Sequence, residues 1–181
     1  MRAFLQIASV FIISLISLNT HAEGDEKKFN IGIGTYALTI SYPSFVDDEF
    51  FGLGLAASYA FTDRFAIRGE YYSLEHDQLS ALEVSGTDLG VYFGTGLATQ
   101  GFKGYIGGGL FNETWEISGF KEDFSGLQIS GGFGYNWNVI ALDLVLGIRD
   151  PSDYEDFIFR SLGVTTDATA VSGSLILSAR F

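Results

Sequence analysis

Phe51-Gly52-Leu53-Gly54-Leu55-Ala56-Ala57-Ser58-Tyr59-Ala60-Phe61 reads with a period of two. Its odd positions are Phe51, Leu53, Leu55, Ala57, Tyr59 and Phe61, all apolar. Its even positions are Gly52, Gly54, Ala56, Ser58 and Ala60, all small or polar. Successive side chains of a strand point to opposite faces, so this stretch is a strand with one greasy and one lean face. Its length matches the roughly 9–11 residues with which a tilted strand crosses a bilayer.

The same alternation returns along the chain. Phe65 to Tyr72, Asp88 to Leu97, Leu127 to Trp137, Ile140 to Arg149 and Val171 to Phe181 each place apolar residues at every second position. Phe29 to Ile40 and Lys103 to Trp115 alternate less cleanly. In the latter, Gly107-Gly108-Gly109 blurs the phase, so the facing of the first and fifth strands stays open. The total is eight strands. Connectors alternate between tight turns (Thr62-Asp63, Thr99-Gln100-Gly101, Asn136 to Asn138) and longer polar stretches (Ser41 to Glu49, Glu75 to Ser85, Ser118 to Phe124, Asp150 to Asp167). Short turns at one end and long loops at the other is the layout of an all-β, eight-stranded antiparallel up-and-down transmembrane β-barrel, with both chain ends on the short-turn, periplasmic side. Pro43 and Pro151 both fall in the long connectors, where no ladder hydrogen bond is lost.

Alternation alone does not say which face looks outward. A lean, glycine- and serine-rich face suits a narrow lumen and makes a poor soluble surface. Aromatics gather beside the short turns (Tyr59, Phe61, Phe65, Phe102, Tyr105, Tyr135, Trp137, Phe181), as a girdle at a membrane interface would. The charges Arg68, Glu70, Asp88, Asp143, Arg149 and Arg180 share the lean face and are expected to form an interior polar network, because an unpaired buried charge is costly. Asp143 and Arg180, near the periplasmic ends of neighbouring strands, are expected to pair or share a network, and Arg68, Glu70, Asp88 and Arg149 to form a second group. Eight strands enclose a lumen that side chains can fill.

Residues 1–22 read as a secretory signal peptide and residues 23–181 as the barrel domain. Arg2 gives a positive start, Phe4 to Leu18 an apolar run, and Thr20-His21-Ala22 a small-residue cleavage site. Of 181 residues, 23 are Gly, 2 are Pro and none is Cys, which excludes disulfides, thiolate metal sites and a lipoprotein anchor. Net charge is −12; removing residues 1–22 takes away Arg2 and no acid, leaving 9 basic against 22 acidic residues, or −13. Nucleic acid is therefore not an expected partner, whereas a cationic partner or shared divalent cations would suit the chain.

The ending Leu175-Ile176-Leu177-Ser178-Ala179-Arg180-Phe181 resembles the C-terminal assembly signal of outer-membrane proteins, and the turn Phe61-Thr62-Asp63-Arg64-Phe65 looks like those of the small OmpA/OmpX/Ail-type barrels. The resemblance implies residence in the outer membrane of a Gram-negative cell. It also implies insertion by the barrel-assembly machinery through Phe181, and contact with outer-membrane lipids and lipopolysaccharide. A monomer is expected.

For function the sequence favours a non-enzymatic surface barrel, serving envelope integrity or adhesion to a host or cell-surface ligand through four acidic loops. A small-solute channel is the first alternative. A lipid A-modifying enzyme is the second, since some small barrels of this kind use Ser and His with a carboxylate. Its base would be His76, in Ser73-Leu74-Glu75-His76-Asp77, with Ser73 or Ser80 as nucleophile, but the His-x-Ser arrangement of PagL-type deacylases is missing. Asp47-Asp48-Glu49, Glu122-Asp123 and Asp150 to Asp156 could attract divalent cations, without the spacing of a dedicated calcium loop. No cofactor is expected.

Overall fold

The computed structural model describes residues 26–79 and 81–181. The expected signal peptide and Ser80 lie outside the described residues. Eight strands run β1 (Phe29–Ser41), β2 (Asp48–Thr62), β3 (Phe65–His76), β4 (Leu82–Thr95), β5 (Gly101–Ile117), β6 (Phe120–Asn136), β7 (Ile140–Arg149) and β8 (Thr169–Arg180), with one helix, α1 (Ser152–Leu162), between the last two. Each strand pairs antiparallel with its neighbour in sequence, and β8 closes on β1 from Asn30↔Arg180 to Ser41↔Thr169. Closure leaves no unpaired edge, which strands in hydrocarbon require.

The greasy face looks out. Leu53 is 60 % exposed and Leu177 52 %, whereas Asp143 is 4 % and Arg149 2 % exposed. The even residues of β1 and the odd residues of β5 point inward, which fixes the two open phases: Asn30, Tyr36 and Leu38 are buried in one, Lys103, Phe111 and Glu113 in the other. Tyr105 is thereby corrected from girdle to lumen. The remaining girdle is in place: Tyr59 meets Phe61 and Phe61 meets Phe65 at ring separations of 5.1 and 5.4 Å, and Phe102, Tyr135 and Trp137 form a second run at 4.8 Å steps. Phe181 exchanges backbone hydrogen bonds with Phe29.

Leu175 sits mid-strand in β8 between Leu144 and Thr35, facing outward. Leu175→Arg is expected to cost about 2–4 kcal/mol of folding stability in lipid vesicles, the penalty for a cation at the midplane. Urea titration of the vesicle-inserted barrel checks this, and an unchanged midpoint would contradict the outward facing of β8.

The far end differs from the expected four loops. Ser118 to Phe124 is no long loop: β5 and β6 continue to a two-residue turn at Ser118 (φ 49°) and Gly119 (φ 86°). Positive φ at both residues gives the tight turn whose twist suits a hairpin. Likewise β3 and β4 extend to His76 and from Leu82, and the last connector contains α1 rather than irregular chain. Polar residues marked these stretches as loops, but a strand that has left the bilayer is free to be polar outside.

At the short-turn end, Asp63 between β2 and β3 ties down the β4–β5 turn. Its carboxylate accepts the N–H groups of Gly96, Ala98 and Thr99 and the Thr99 hydroxyl, at 2.8–3.2 Å. Gly96, at φ 74°, supplies the left-handed bend that aims these amides at Asp63. Partial burial pushes the Asp63 carboxyl up, but these hydrogen bonds outweigh it and hold the group below its ordinary value. Its contribution to stability is thus complete above the ordinary carboxylate range and is lost as pH falls through the lowered folded value. Asp63→Asn is expected to flatten this acid limb of the stability–pH curve. An identical limb in both proteins would refute the assignment.

Candidate functional site: filled lumen and capped far end

The inner face carries two layers of buried charge. In the lower, Asp143 of β7 accepts hydrogen bonds from Lys103 Nζ (2.6 Å) and Tyr105 Oη (2.8 Å) of β5. Arg68 of β3 donates to Tyr105 Oη at 2.8 Å, and its guanidinium stands 3.5 Å from Asp143 and 3.7 Å from Glu70. That guanidinium also lies over the rings of Tyr92 and Tyr105, about 5 Å from each centroid. β3 and β5 each contribute residues two apart, so one strand face delivers both Arg68 and Glu70, and another both Lys103 and Tyr105.

The upper layer centres on Arg149 and Glu113. Arg149 Nη1 donates to Glu113 Oε2 at 2.6 Å, and Nη2 to Asp88 Oδ1 at 2.9 Å and Tyr36 Oη at 2.7 Å. Tyr36 Oη donates to Asp88 Oδ2 at 2.5 Å, and Tyr72 Oη to Glu113 Oε2 at 3.0 Å. The Tyr36 and Tyr72 rings stack at 4.2 Å. Gly86 makes room: a Cβ there would come 2.4 Å from the Tyr72 ring.

Of the six expected network residues, Arg68, Glu70 and Asp143 thus meet in one layer and Asp88 and Arg149 in the other. The expected Asp143–Arg180 pair does not form. Arg180 instead caps the short turns, donating to the carbonyls of Trp137 (2.6 Å), Ala98 (2.7 Å) and Thr99 (3.3 Å). Lys103 lies nearer to Asp143 and takes its place. Lys103 and Glu113 were missed because the phase of β5 was open. The usable signal was Lys103 itself, since only the odd phase keeps it out of the lipid.

Above the upper layer the lumen is covered by aromatic packing. Phe50, Trp115, Phe124 and Tyr154 are buried together, with Phe157 against them. Tyr154 comes from α1; it stacks on Phe124 at 4.9 Å and donates to Glu113 Oε1 at 2.9 Å, beside Trp115 Nε1 at 2.9 Å. Asp153 of α1 accepts Ser125 N–H, and Glu155 accepts Ala168 N–H, both at 2.8 Å, so the helix is fastened over the mouth. The lumen below retains cavities of about 10 and 20 Å³ on either side of Tyr92, each of the order of a single water.

Both ring nitrogens of His76 are engaged. Its Nδ1 accepts the N–H groups of Gln78 and Leu79 at 3.1 and 3.2 Å, which places the proton on Nε2, 3.3 Å from Asp48 Oδ1. Phe50 lies edge-on against the ring. Ser73 points to the opposite face of β3, and Ser80 is outside the described residues. Among the described residues no group of three or more His, Asp or Glu is arranged to hold a metal.

The outer surface of this end is acidic. Of the chain's 22 carboxylates, Glu23, Asp25 and Glu26 precede β1, Asp63 sits in a short turn, and Glu70, Asp88, Glu113 and Asp143 are in the lumen; the other fourteen belong to the end opposite the short turns. The cations there are Lys121 and Arg160, each already paired, with Glu116 at 2.8 Å and Glu122 at 2.6 Å. Among these charges Phe120 (80 %), Val46 (75 %) and Phe159 (56 %) are exposed.

No protein-family model matches the chain, and no curated protein matches it. Solved structures do. The attachment invasion locus protein Ail of Yersinia pestis superimposes with a TM-score of 0.55 at 14 % identity, over 86 % of this chain and 99 % of that one; it has also been solved with the heparin analogue sucrose octasulfate. Neisserial surface protein A gives 0.57 at 15 % identity, over 84 % and 95 %. The outer membrane protein OprG of Pseudomonas aeruginosa gives 0.57 at 16 %, over 89 % and 99 %. At these identities the likeness is one of fold: the chain is a small eight-stranded β-barrel of the outer-membrane type.

Proposed function

We propose that this chain is a non-enzymatic barrel of the Gram-negative outer membrane that works at the cell surface, attaching to a cationic partner through its extracellular end. The observation that carries this reading is the contrast between the two sides of the mouth. Inside, among the described residues, two charge layers and an aromatic cap fill the lumen around cavities of about 10 and 20 Å³. Outside, fourteen carboxylates face two already paired cations, with aromatic side chains exposed among them. Potentials of one sign recruit partners of the other and reject like charge. Ail takes a polyanionic heparin analogue; the acidic end of this chain fits the opposite charge.

The barrel in lipid nanodiscs is expected to bind a polylysine surface, to ignore heparin, and to lose binding as salt is raised. Deleting residues 152–166 should weaken that binding. Preference for heparin, or binding indifferent to salt, would overturn the reading. In planar bilayers the intact barrel is expected to show no stable conductance, and a steady open pore would favour a small-solute channel instead.

A further inference from the structure

On the outer wall, β4, β5 and β6 present two rows of side chains in register. Leu89, Leu110 and Leu127 form the first, and Thr87, Asn112 and Ser125 form the second, one step farther from the periplasm. A groove of about 490 Å³ opens over these two rows and is bounded by Asp150 at the end of β7. That volume falls within the roughly 300–1,000 Å³ of small-molecule sites. The row beneath is Val91, Gly108 and Ile129, and Gly108 offers no side chain, so the wall stays low toward the midplane. The groove straddles the change from apolar to polar outward residues, where acyl chains give way to their linkages in the outer leaflet. It is continuous with the lipid-facing belt, which names the kind of occupant.

We propose that this groove seats one acyl chain of the lipid A part of lipopolysaccharide, with the amide or hydroxyl of that chain against Asn112 and Asp150. This rests on the reading that the barrel lies in the outer membrane with α1 outside. A lipid chain gains nothing by leaving lipid for an apolar wall, so selection has to come from the polar row. Asp150 is the deciding group. Its Oδ1 accepts the Ser152 N–H and hydroxyl, and hydrogen bonds from those two groups hold its carboxyl below the ordinary value. A carboxylate has about four acceptor sites and no donor, so it still accepts further bonds. Lipid A carries amide-linked and hydroxylated chains, which supply N–H and O–H donors. The ester linkages by which a glycerophospholipid holds its acyl chains supply acceptors alone.

The test is native mass spectrometry of the full folded barrel offered lipid A and phosphatidylethanolamine at equal concentration. One lipid A per barrel is expected to survive activation that strips other lipid. Leu110→Trp, which fills the groove, should lower that adduct by about tenfold. Leu175→Trp, on the far wall, should leave it unchanged, and Asn112→Leu should reduce the preference for lipid A. Heat-dependent mobility on gels establishes that each variant is folded. Equal retention by Leu110→Trp and Leu175→Trp, or a preference for phosphatidylethanolamine, would overturn the proposal. Orientation is read separately: Ser118→Cys should label on intact cells with an impermeant maleimide. Failure to label would overturn the orientation and leave the lipid result standing on its own.

Discussion

Glu113→Ala is expected to remove about 3–5 kcal/mol from the stability of the membrane-inserted barrel, the cost of leaving a buried charge without its partner. Glu113 has no exposed surface. It takes donors from four elements: Arg149 of β7, Tyr72 of β3, Trp115 of its own strand and Tyr154 of α1. Its loss leaves Arg149 balanced by Asp88 alone and leaves the Trp115, Tyr72 and Tyr154 donors without their acceptor. Tyr154→Phe removes one of these hydrogen bonds and keeps the ring in the cap, so a smaller loss of about 1.5–3 kcal/mol is expected. Urea titration in vesicles gives both numbers, and the emission of Trp115 reports on the cap directly. If Tyr154→Phe costs as much as Glu113→Ala, the carboxylate is not what holds the cap.

That cap was hidden in the sequence by an inversion of polarity. Within the bilayer the lean face is inside, as with Arg68 and Glu70 against Ile67 and Tyr71. A few residues farther along the same strand the geometry continues but the solvent changes. Leu74 and His76 still point inward, yet they are now the apolar or buried side, while Ser73 and Glu75 face water. Leu82 and Val84 against Glu83 and Ser85 repeat the switch on β4, and Trp115 against Glu116 on β5. Read with one rule for the whole strand, these stretches lose their alternation and pass for loops. The upper third of the barrel is built like a soluble one, with an apolar inside and a charged outside.

The lumen was legible where a strand carried several charges in one phase. Arg68 and Glu70 fix the facing of β3 by themselves, because a cation and an anion on the lipid side would both be penalised. Partners were not legible in the same way. Pairing depends on the tilt and stagger with which eight strands close, so sequence proximity to a strand end said little about height. Arg180 looked level with Asp143, but its guanidinium reaches down to three turn carbonyls. Tyr154 illustrates a different limit: nothing in the pattern of a polar connector distinguishes an aromatic that covers a rim from one that inserts into it.

Asp143→Ala is expected to cost nearly as much as the loss of Glu113, about 3–5 kcal/mol, because it strands two cations at once. Lys103 would lose its 2.6 Å partner and Arg68 its neighbour at 3.5 Å, while Tyr105 would lose the acceptor of its hydroxyl. Glu70, 3.7 Å from Arg68, remains to offset one of the two charges. The larger share of the loss should therefore trace to Lys103. A double replacement tests that directly. Lys103→Met removes the stranded cation and keeps the stem that fills the lumen, and buried ion pairs are often replaceable by apolar residues at little net cost. The Lys103→Met/Asp143→Leu barrel is expected to be more stable than Asp143→Leu alone, with a coupling of the order of 1–3 kcal/mol in the double-mutant cycle. A coupling near zero would mean that Arg68, not Lys103, is the true counterion of Asp143. In that case the ion pair joining β3 to β7 across the lumen, rather than the one between β5 and β7, would set the barrel's resistance to unfolding.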